Sequence, residues 1–435
     1  MGFGLCPMSG DRNLSLLSGC GSASSGLFMK IAILSSGFLP VVDGVTVAQI
    51  NRLRWLSRWG HEVMLFCPDY QPIAGVYPNW REFTGEILPG VRIVNLASTS
   101  YMGIEFERNV SSKSYQTVLQ ELAAFQPDVI HVDEAERLAN GFFKFPGIKF
   151  AKKTGIPCIS FFHTNFVEYT EDFLEVPTPI LRSLQFVLKR LFAWVYNAYE
   201  VTLVGSHDAY EKVTRMGIKN ALRGDFLGVD LELFQPELRE PDFFEQQYGL
   251  GEVAEKVKLV FVGRLTPDKG WKFAMNALEQ MVQQQDMSNV AILIAGDGEM
   301  QAEIARRLGG LAHFVGRIPP DDVPALLANC DVLVTTSEKE TRGLTILEGF
   351  AAAIPAIAPY AGGVTDSIEN GINGFLFATG NSKDFAEKLN CLINDSELRR
   401  QMGRAGKASV RDLDWEQTVG NLLAVWQREI ARKRV

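Results

Sequence analysis

The sequence predicts an α/β protein made of two doubly wound, Rossmann-like domains that face each other across a cleft. Three observations carry the prediction. From Met29 onward, short apolar strands bounded by turn residues alternate with amphipathic helical runs. After a loosely patterned acidic stretch from Glu232 to Glu255 the same rhythm restarts. The chain has 435 residues, room for two or three domains on a rough prior of about 150 residues each.

In chain order, KIAILS at Lys30 reads as the first buried strand, the run from Val45 to Trp59 as an amphipathic helix, and HEVMLF as the second strand. VRIVNL near 91, DVIHV near 128, PCISFF near 157 and VTLVGS near 201 follow, with helical stretches between them, as a mostly parallel sheet requires. The second half supplies KVKLVFVGR, NVAILIAGDG, AHFVGR, DVLVTTS and PAIAP. The expected domains are 29–225 and 226–412, with 413–435 a terminal helix returning to the first domain. Residues 1–28 read as a non-native or disordered extension, because Met29-Lys30-Ile31 opens directly into a strand. Leu17-Ser18-Gly19-Cys20 matches a lipoprotein cleavage box but lacks the charged start and the ~7–15 apolar residues of a signal peptide.

Composition narrows the function. Apolar residues make up 46% and charged residues 22%, which excludes disordered, collagen-like and coiled-coil chains. Lys+Arg 43 against Asp+Glu 51 gives a net charge of -8, so nucleic acid is disfavoured as a partner. No apolar stretch approaches the ~20 residues of a spanning helix. The six cysteines show no CxxC or metal-ligand spacing, and a reducing cytosol fits them. Open α/β sheets bind ligands beyond the carboxyl ends of their strands, so the chemistry belongs in the cleft.

The segment Ser337 to Glu348 follows the strand DVLVTTS and leads into a helix, with Glu340 before it and Glu348 inside it. A helix start suits a phosphate, and carboxylates beside it can accept hydrogen bonds from hydroxyls; a sugar nucleotide has both groups. Taken alone, Glu340 also reads as a capping acid and Glu348 as a solvated helix residue. Upstream, GRLTPDKG places Arg264 and Lys269 on a turn closing another strand. Fixed cations there would stabilise the charge that develops on a departing pyrophosphate. Their alternative is an ordinary surface turn.

Together GRLTPDKG, AGDGEM, the E-x(7)-E of Glu340 and Glu348, and AGGVTDSIENGINGFLF resemble the retaining glycosyltransferases of family four, which have the GT-B fold. SSGFLPVVDGVTVAQ and GVDLELFQP are similar to the family's phosphate-facing loop and interdomain segment. The resemblance implies a nucleotide-sugar donor, most commonly a UDP-sugar, on the C-terminal domain, an acceptor on the N-terminal domain, and no further cofactor. It implies that Arg264 and Lys269, with Gly263 between strand and turn, neutralise the diphosphate. Glu348 would hold the ribose, Glu340 the donor sugar, and the backbone at Gly343, Leu344 and Thr345 a phosphate. Gly44 carries over from the N-terminal loop and His163 would face the reacting centre, positioning the sugar. Two positions depart from the family: Asp43 stands where paired glycines are common, and Arg342 replaces an apolar or aromatic residue, reading equally as a contact to an acidic substrate group or as a solvated cation.

HTNFVEY and the acidic run Asp133 to Leu138 are similar to segments of digalactosyldiacylglycerol synthases, and the C-terminal motifs resemble sulfoquinovosyl-diacylglycerol synthases almost as well. This implies a glycolipid acceptor, with galactose passing to monogalactosyldiacylglycerol as the favoured form and Glu134, Asn165 and Glu168 near the acceptor hydroxyls. Helix capping is the plainer reading of those three. The run Ile180 to Trp194 mixes large apolar residues with cations, as an interfacial helix or a half-buried domain helix does. Peripheral membrane contact from the cytoplasm is therefore expected. A nicotinamide oxidoreductase is disfavoured, since Gln301 breaks the glycine fingerprint begun by Gly296 and Gly298. A transferase on a soluble sugar and a non-catalytic sugar-nucleotide binder remain alternatives. No D-x-D pair is convincing, so no metal is expected, the cations doing a metal's electrostatic work.

Overall fold

The computed structural model describes residues 28–101, 104–174 and 176–434. The expected extension therefore lies outside the described residues, apart from Phe28.

Two sheets divide the chain. The first contains β1 (Lys30–Ser35), β2 (Glu62–Pro68), β3 (Gly85–Leu88) and β4 (Val91–Leu96). After a separate hairpin, β5 (Ser98–Tyr101) and β6 (Ile104–Val110), it continues with β7 (Val129–Asp133), β8 (Cys158–Phe162), β9 (Thr202–Val204) and β10 (Ala221–Arg223). Their order is β10-β9-β8-β7-β1-β2-β4-β3, and β3 is the one antiparallel member. The second sheet comprises β11 (Val257–Val262), β12 (Val290–Ala295), β13 (Ala312–Gly316), β14 (Val332–Val334), β15 (Ala356–Pro359) and β16 (Gly374–Phe377). It runs β13-β12-β11-β14-β15-β16 and is parallel throughout. This is the predicted pair of doubly wound domains.

The central strands are buried on both faces, as βαβ layering demands, and their sequences are continuous apolar runs for that reason. Each sheet separates two apolar clusters. Strand order reverses between β1 and β7 in one sheet and between β11 and β14 in the other, and the loops leaving those strands open toward the same cleft.

Near Val229 the chain crosses to the second domain, and near Leu413 it crosses back. The crossings touch: Val229 N–H donates to the Leu413 carbonyl at 2.9 Å. A Cβ at Gly228 would stand 2.4 Å from that same oxygen, so only glycine fits there. The helix Trp415–Arg434 then lies on the first sheet, burying Trp415, Leu422 and Trp426 in one of its clusters.

Candidate functional site

One cavity of about 1960 Å³ lies between the two domains. That exceeds the ~300–1,000 Å³ of a pocket for one small ligand and leaves space for two substrates.

On the C-terminal side, β11 ends at Val262, and Gly263 turns the chain so that Arg264 lines the cavity. A short turn over Pro267–Lys269 then carries Lys269 inward. Gly270 holds that turn against β14: its φ is 74°, and a Cβ would meet the Thr336 carbonyl at 2.1 Å. Lys269 Nζ reaches Glu340 Oε1 at 2.6 Å. The Arg264 guanidinium is 3.6 Å from Asp268 and 3.8 Å from Glu107, which comes from the hairpin strand β6. Burial works against ionisation of Glu340, but Lys269, seconded by Arg264, holds its carboxyl below the usual range. Burial works against the charge on Lys269 too, but Glu340, with Tyr169 and Asp268, outweighs it and keeps the ammonium protonated, Arg264 opposing them.

Gly343, in the left-handed conformation with φ 72°, starts the helix Leu344–Ala351, whose first turn opens on the cavity. Directly across, the Gly44 end of the helix Gly44–Arg58 comes so close that a Cβ there would touch Leu344 at 3.7 Å. Two helix N-termini thus converge on one space, a setting that favours an anion. Glu348 faces the cavity one turn further on, and burial without a compensating cation pushes its carboxyl up to about 7.

On the N-terminal side, the ends of β1, β7 and β8 hold a buried polar hub. Asp133 is fully buried, and its carboxylate meets Arg52 at 3.0 Å, His131 at 3.0 Å and His163 Nε2 at 2.7 Å. Burial opposes its ionisation, but Arg52, His131 and His163 overrule that and hold it well below the usual carboxylate range. His163, stacked on Phe161, therefore spends Nε2 on Asp133, and Nδ1 is the nitrogen left for a ligand. Glu134 is in the left-handed region with φ 53°, and its carboxylate accepts from Ser36 and from Thr164, the latter at 2.6 Å. Glu136, hydrogen-bonded by the Tyr196 hydroxyl, is pushed up to about 8, first by burial and then by Glu134.

Of the residues singled out from sequence, all but Asn165 and Glu168 line the cavity. Those two correct the expectation for the acceptor side. Glu168 turns away to Lys212 at 3.0 Å, and Asn165 is buried beneath the wall at the start of the helix Phe166–Phe173. Asp43 caps its helix, accepting from Thr46 N–H at 2.9 Å, so an aspartate serves where paired glycines are usual. Arg342 is not solvated: its side chain is 7% exposed, lies 3.6 Å from Asp225 and lines the cavity with its Nε unpaired.

Sequence reasoning missed Asp133, Glu107 and Arg137. Asp133 stood in view within the acidic run after β7. Arg52 and Gln49, buried beside Ala48, Leu53 and Leu56 on the first helix, were a signal that it needed partners. Glu107, which pairs with Arg137 at 2.5 Å, gave no signal because a hairpin delivers it from outside both sheets.

Comparison with known proteins finds two family patterns on this chain. The pattern described as Glycosyltransferase Family 4 matches residues 42–233, and that described as Glycosyl transferases group 1 matches 242–409. The chain is 28% identical to the sulfoquinovosyl transferase SQD2 of Arabidopsis thaliana over 84% of its own length and 66% of that enzyme's, just under two thirds. It is 26% identical to a GDP-mannose-dependent alpha-mannosyltransferase of Corynebacterium glutamicum, over 93% of this chain and 90% of that one. With the alpha-monoglucosyldiacylglycerol synthase of Streptococcus pneumoniae it shares 22% over 76% of this chain and 71% of that one. Among solved structures, sucrose-phosphate synthase from Thermosynechococcus elongatus superposes with a TM-score of 0.73 at 17% identity, covering 93% of this chain and 100% of that one. Anabaena HepE, solved with UDP and glucose, gives 0.67 at 18%, covering 92% and 99%. These two likenesses establish the fold alone.

Proposed function

Because the chain belongs to the family-four glycosyltransferases and has the GT-B fold, we propose that it moves a hexose, with retention of anomeric configuration, from a UDP-sugar to a membrane glycolipid. The observation that carries the reading is the pairing of Arg264, Lys269 and the Leu344 helix start on one wall of a single cavity with His163 and Glu134 on the other. The resemblance of HTNFVEY favours galactose on monogalactosyldiacylglycerol. The names of the Arabidopsis and Streptococcus relatives favour a second form, sulfoquinovosyl or glucosyl transfer to diacylglycerol.

In this reading Arg264, Lys269 and the helix start bind the diphosphate, Glu348 accepts from the ribose hydroxyls, and Glu340 accepts from a hydroxyl of the donor sugar. The bond from the anomeric carbon to the phosphate oxygen breaks as the acceptor oxygen attacks from the same face. The acceptor's proton passes to the departing phosphate oxygen, whose charge the two cations offset. His163 Nδ1 and Glu134 hold sugar hydroxyls at the junction.

Among the described residues no helix is long and apolar enough to cross a membrane. The helix Thr178–Tyr196 instead exposes Ile180, Phe186 and Val187 beside Arg182, Lys189 and Arg190, a face suited to lying in an anionic headgroup layer from the cytoplasmic side.

The test offers the purified protein labelled UDP-galactose, UDP-glucose, UDP-sulfoquinovose or GDP-mannose, with vesicles containing diacylglycerol or monogalactosyldiacylglycerol. A labelled lipid identified by mass spectrometry is the expected product, and turnover persists in EDTA. Label found only in water-soluble products refutes the lipid acceptor, and activity lost on chelation and restored by a divalent ion refutes the cation-only site.

Glu348 gives a sharper expectation. As pH rises through about 7 its carboxyl ionises and becomes the stronger acceptor, so the KM for donor falls between pH 6 and 8. Glu348→Gln raises that KM about tenfold and flattens its pH dependence while changing kcat less. An unchanged profile in the variant contradicts the ribose assignment.

A further inference from the structure

We infer that the cavity carries a second, apolar arm which binds one acyl chain of the acceptor, an assignment that rests on the lipid reading above and deepens it. The helix Thr178–Tyr196 presents Leu184, Leu188, Leu191 and Val195 at i, i+4, i+7 and i+11, a single stripe, and all four line the same cavity as His163. Phe143 and Phe145, beyond the helix Ala135–Phe142, form the facing wall. At the mouth Phe145 meets Trp194 edge to face at 4.5 Å between ring centroids.

The exposure of this arm is unusual for a folded core. Phe143 is 80% exposed, Trp194 63% and Leu191 46%. Phe143 also has φ 54°, a left-handed conformation seldom adopted by a bulky side chain. Val195 belongs to the core and Phe145 packs on Trp194, but Phe143, Leu191 and much of Trp194 stay open along the groove, which indicates that something apolar covers them.

Continuity with the reaction centre decides what that occupant is. It must offer a hydroxyl at Glu134 and His163 and an apolar body toward Trp194, which describes an acylated glycerol or glycosylglycerol. Lys144, Lys149 and Lys152, exposed along the same rim, suit the anionic surface from which such a molecule is drawn. A flat protein partner would not enter a cleft that ends at a nucleotide-sugar site.

The experiment uses bromine-tailed monoacylglycerols of six to twelve carbons, each below its critical micelle concentration, with no vesicles present. Tryptophan fluorescence is expected to be quenched on binding, with Kd falling up to about fourfold per methylene, the equivalent of about 0.8 kcal/mol. Trp194→Phe removes most of the quenching. Leu188→Glu raises Kd at least tenfold, and Leu184→Glu, on the exposed edge of the stripe, does the same if the first variant folds poorly by thermal melt. A Kd independent of chain length, or quenching that survives Trp194→Phe and both glutamate variants, overturns the arm. The two readings fail separately. Lipid product without chain-length dependence refutes the arm and leaves the lipid acceptor standing, whereas quenching without lipid product supports the arm and refutes the transfer.

Discussion

Replacing Lys269 by alanine lowers kcat by about 10²–10³, roughly 2.7–4 kcal/mol of transition-state stabilisation, while the melting temperature changes little. Both halves follow from the geometry. Lys269 lines the cavity, and in the proposed reaction it faces the departing diphosphate, so its contribution grows along the reaction coordinate and appears in kcat. In the free protein the side chain is paired with Glu340 at 2.6 Å, and each partner is 24% exposed. The pair is part-buried, and what its attraction gains is largely offset by the cost of burying both charges, leaving at most about 1 kcal/mol for folding. Lys269→Ala does leave Glu340 without its cation, so the double variant with Glu340→Gln separates the two effects. Stability returns to the wild-type value and kcat stays low. Steady-state kinetics beside a thermal melt decides the matter, and a kcat within threefold of wild type removes Lys269 from the chemistry. Arg264→Ala is expected to behave likewise, its carboxylate neighbours standing no closer than 3.6 and 3.8 Å.

Asp133→Asn strikes the other domain and is expected to cost about 3–5 kcal/mol of stability, the usual penalty for stranding one member of a buried ion pair. The stranded member is Arg52, 2% exposed and bonded to Asp133 at 3.0 Å. At about 2–4 °C per kcal/mol for a domain of this size, the N-terminal transition drops by roughly 6–20 °C. Pairing the change with Arg52→Gln recovers part of the loss, since neither partner is then an uncompensated charge. His163 loses the anion that orients its ring, so the folded variant also shows a raised acceptor KM. A melt within 2 °C of wild type would refute the hub as a structural element.

The same hub sets the response to acid. Burial pushes His131 down to about 4, against about 6.5 in an unfolded chain. The unfolded chain therefore binds the proton first, and stability drains away as pH falls from about 6.5 to 4. Asp133, held low by Arg52 and the two histidines, keeps its contribution above its unfolded value and loses it only below about pH 4. A melting temperature that declines in both windows, with the lower one absent in Asp133→Asn, is the expected pattern.

By itself the sequence determined the two-domain α/β architecture, because a strand buried on both faces must be a continuous apolar run and the helices covering it must be amphipathic. It also determined the chemical character of the C-terminal wall of the cavity. Arg264 and Lys269 lie on the turn that leaves β11, Glu340 on the loop that leaves β14 and Glu348 in the helix which that loop enters, and in a parallel sheet every strand end of one polarity opens on the same side. Only the tertiary structure decided the N-terminal wall of the cavity. Asp133 meets Arg52 across 81 residues of chain and His163 across 30, distances over which no local period operates. Whether Glu168 faced a substrate or Lys212 likewise depended on how the helix His207–Met216 packs beside it. A side chain's residue type and its strand or helix are written locally, but its partner is fixed by the order in which strands pair.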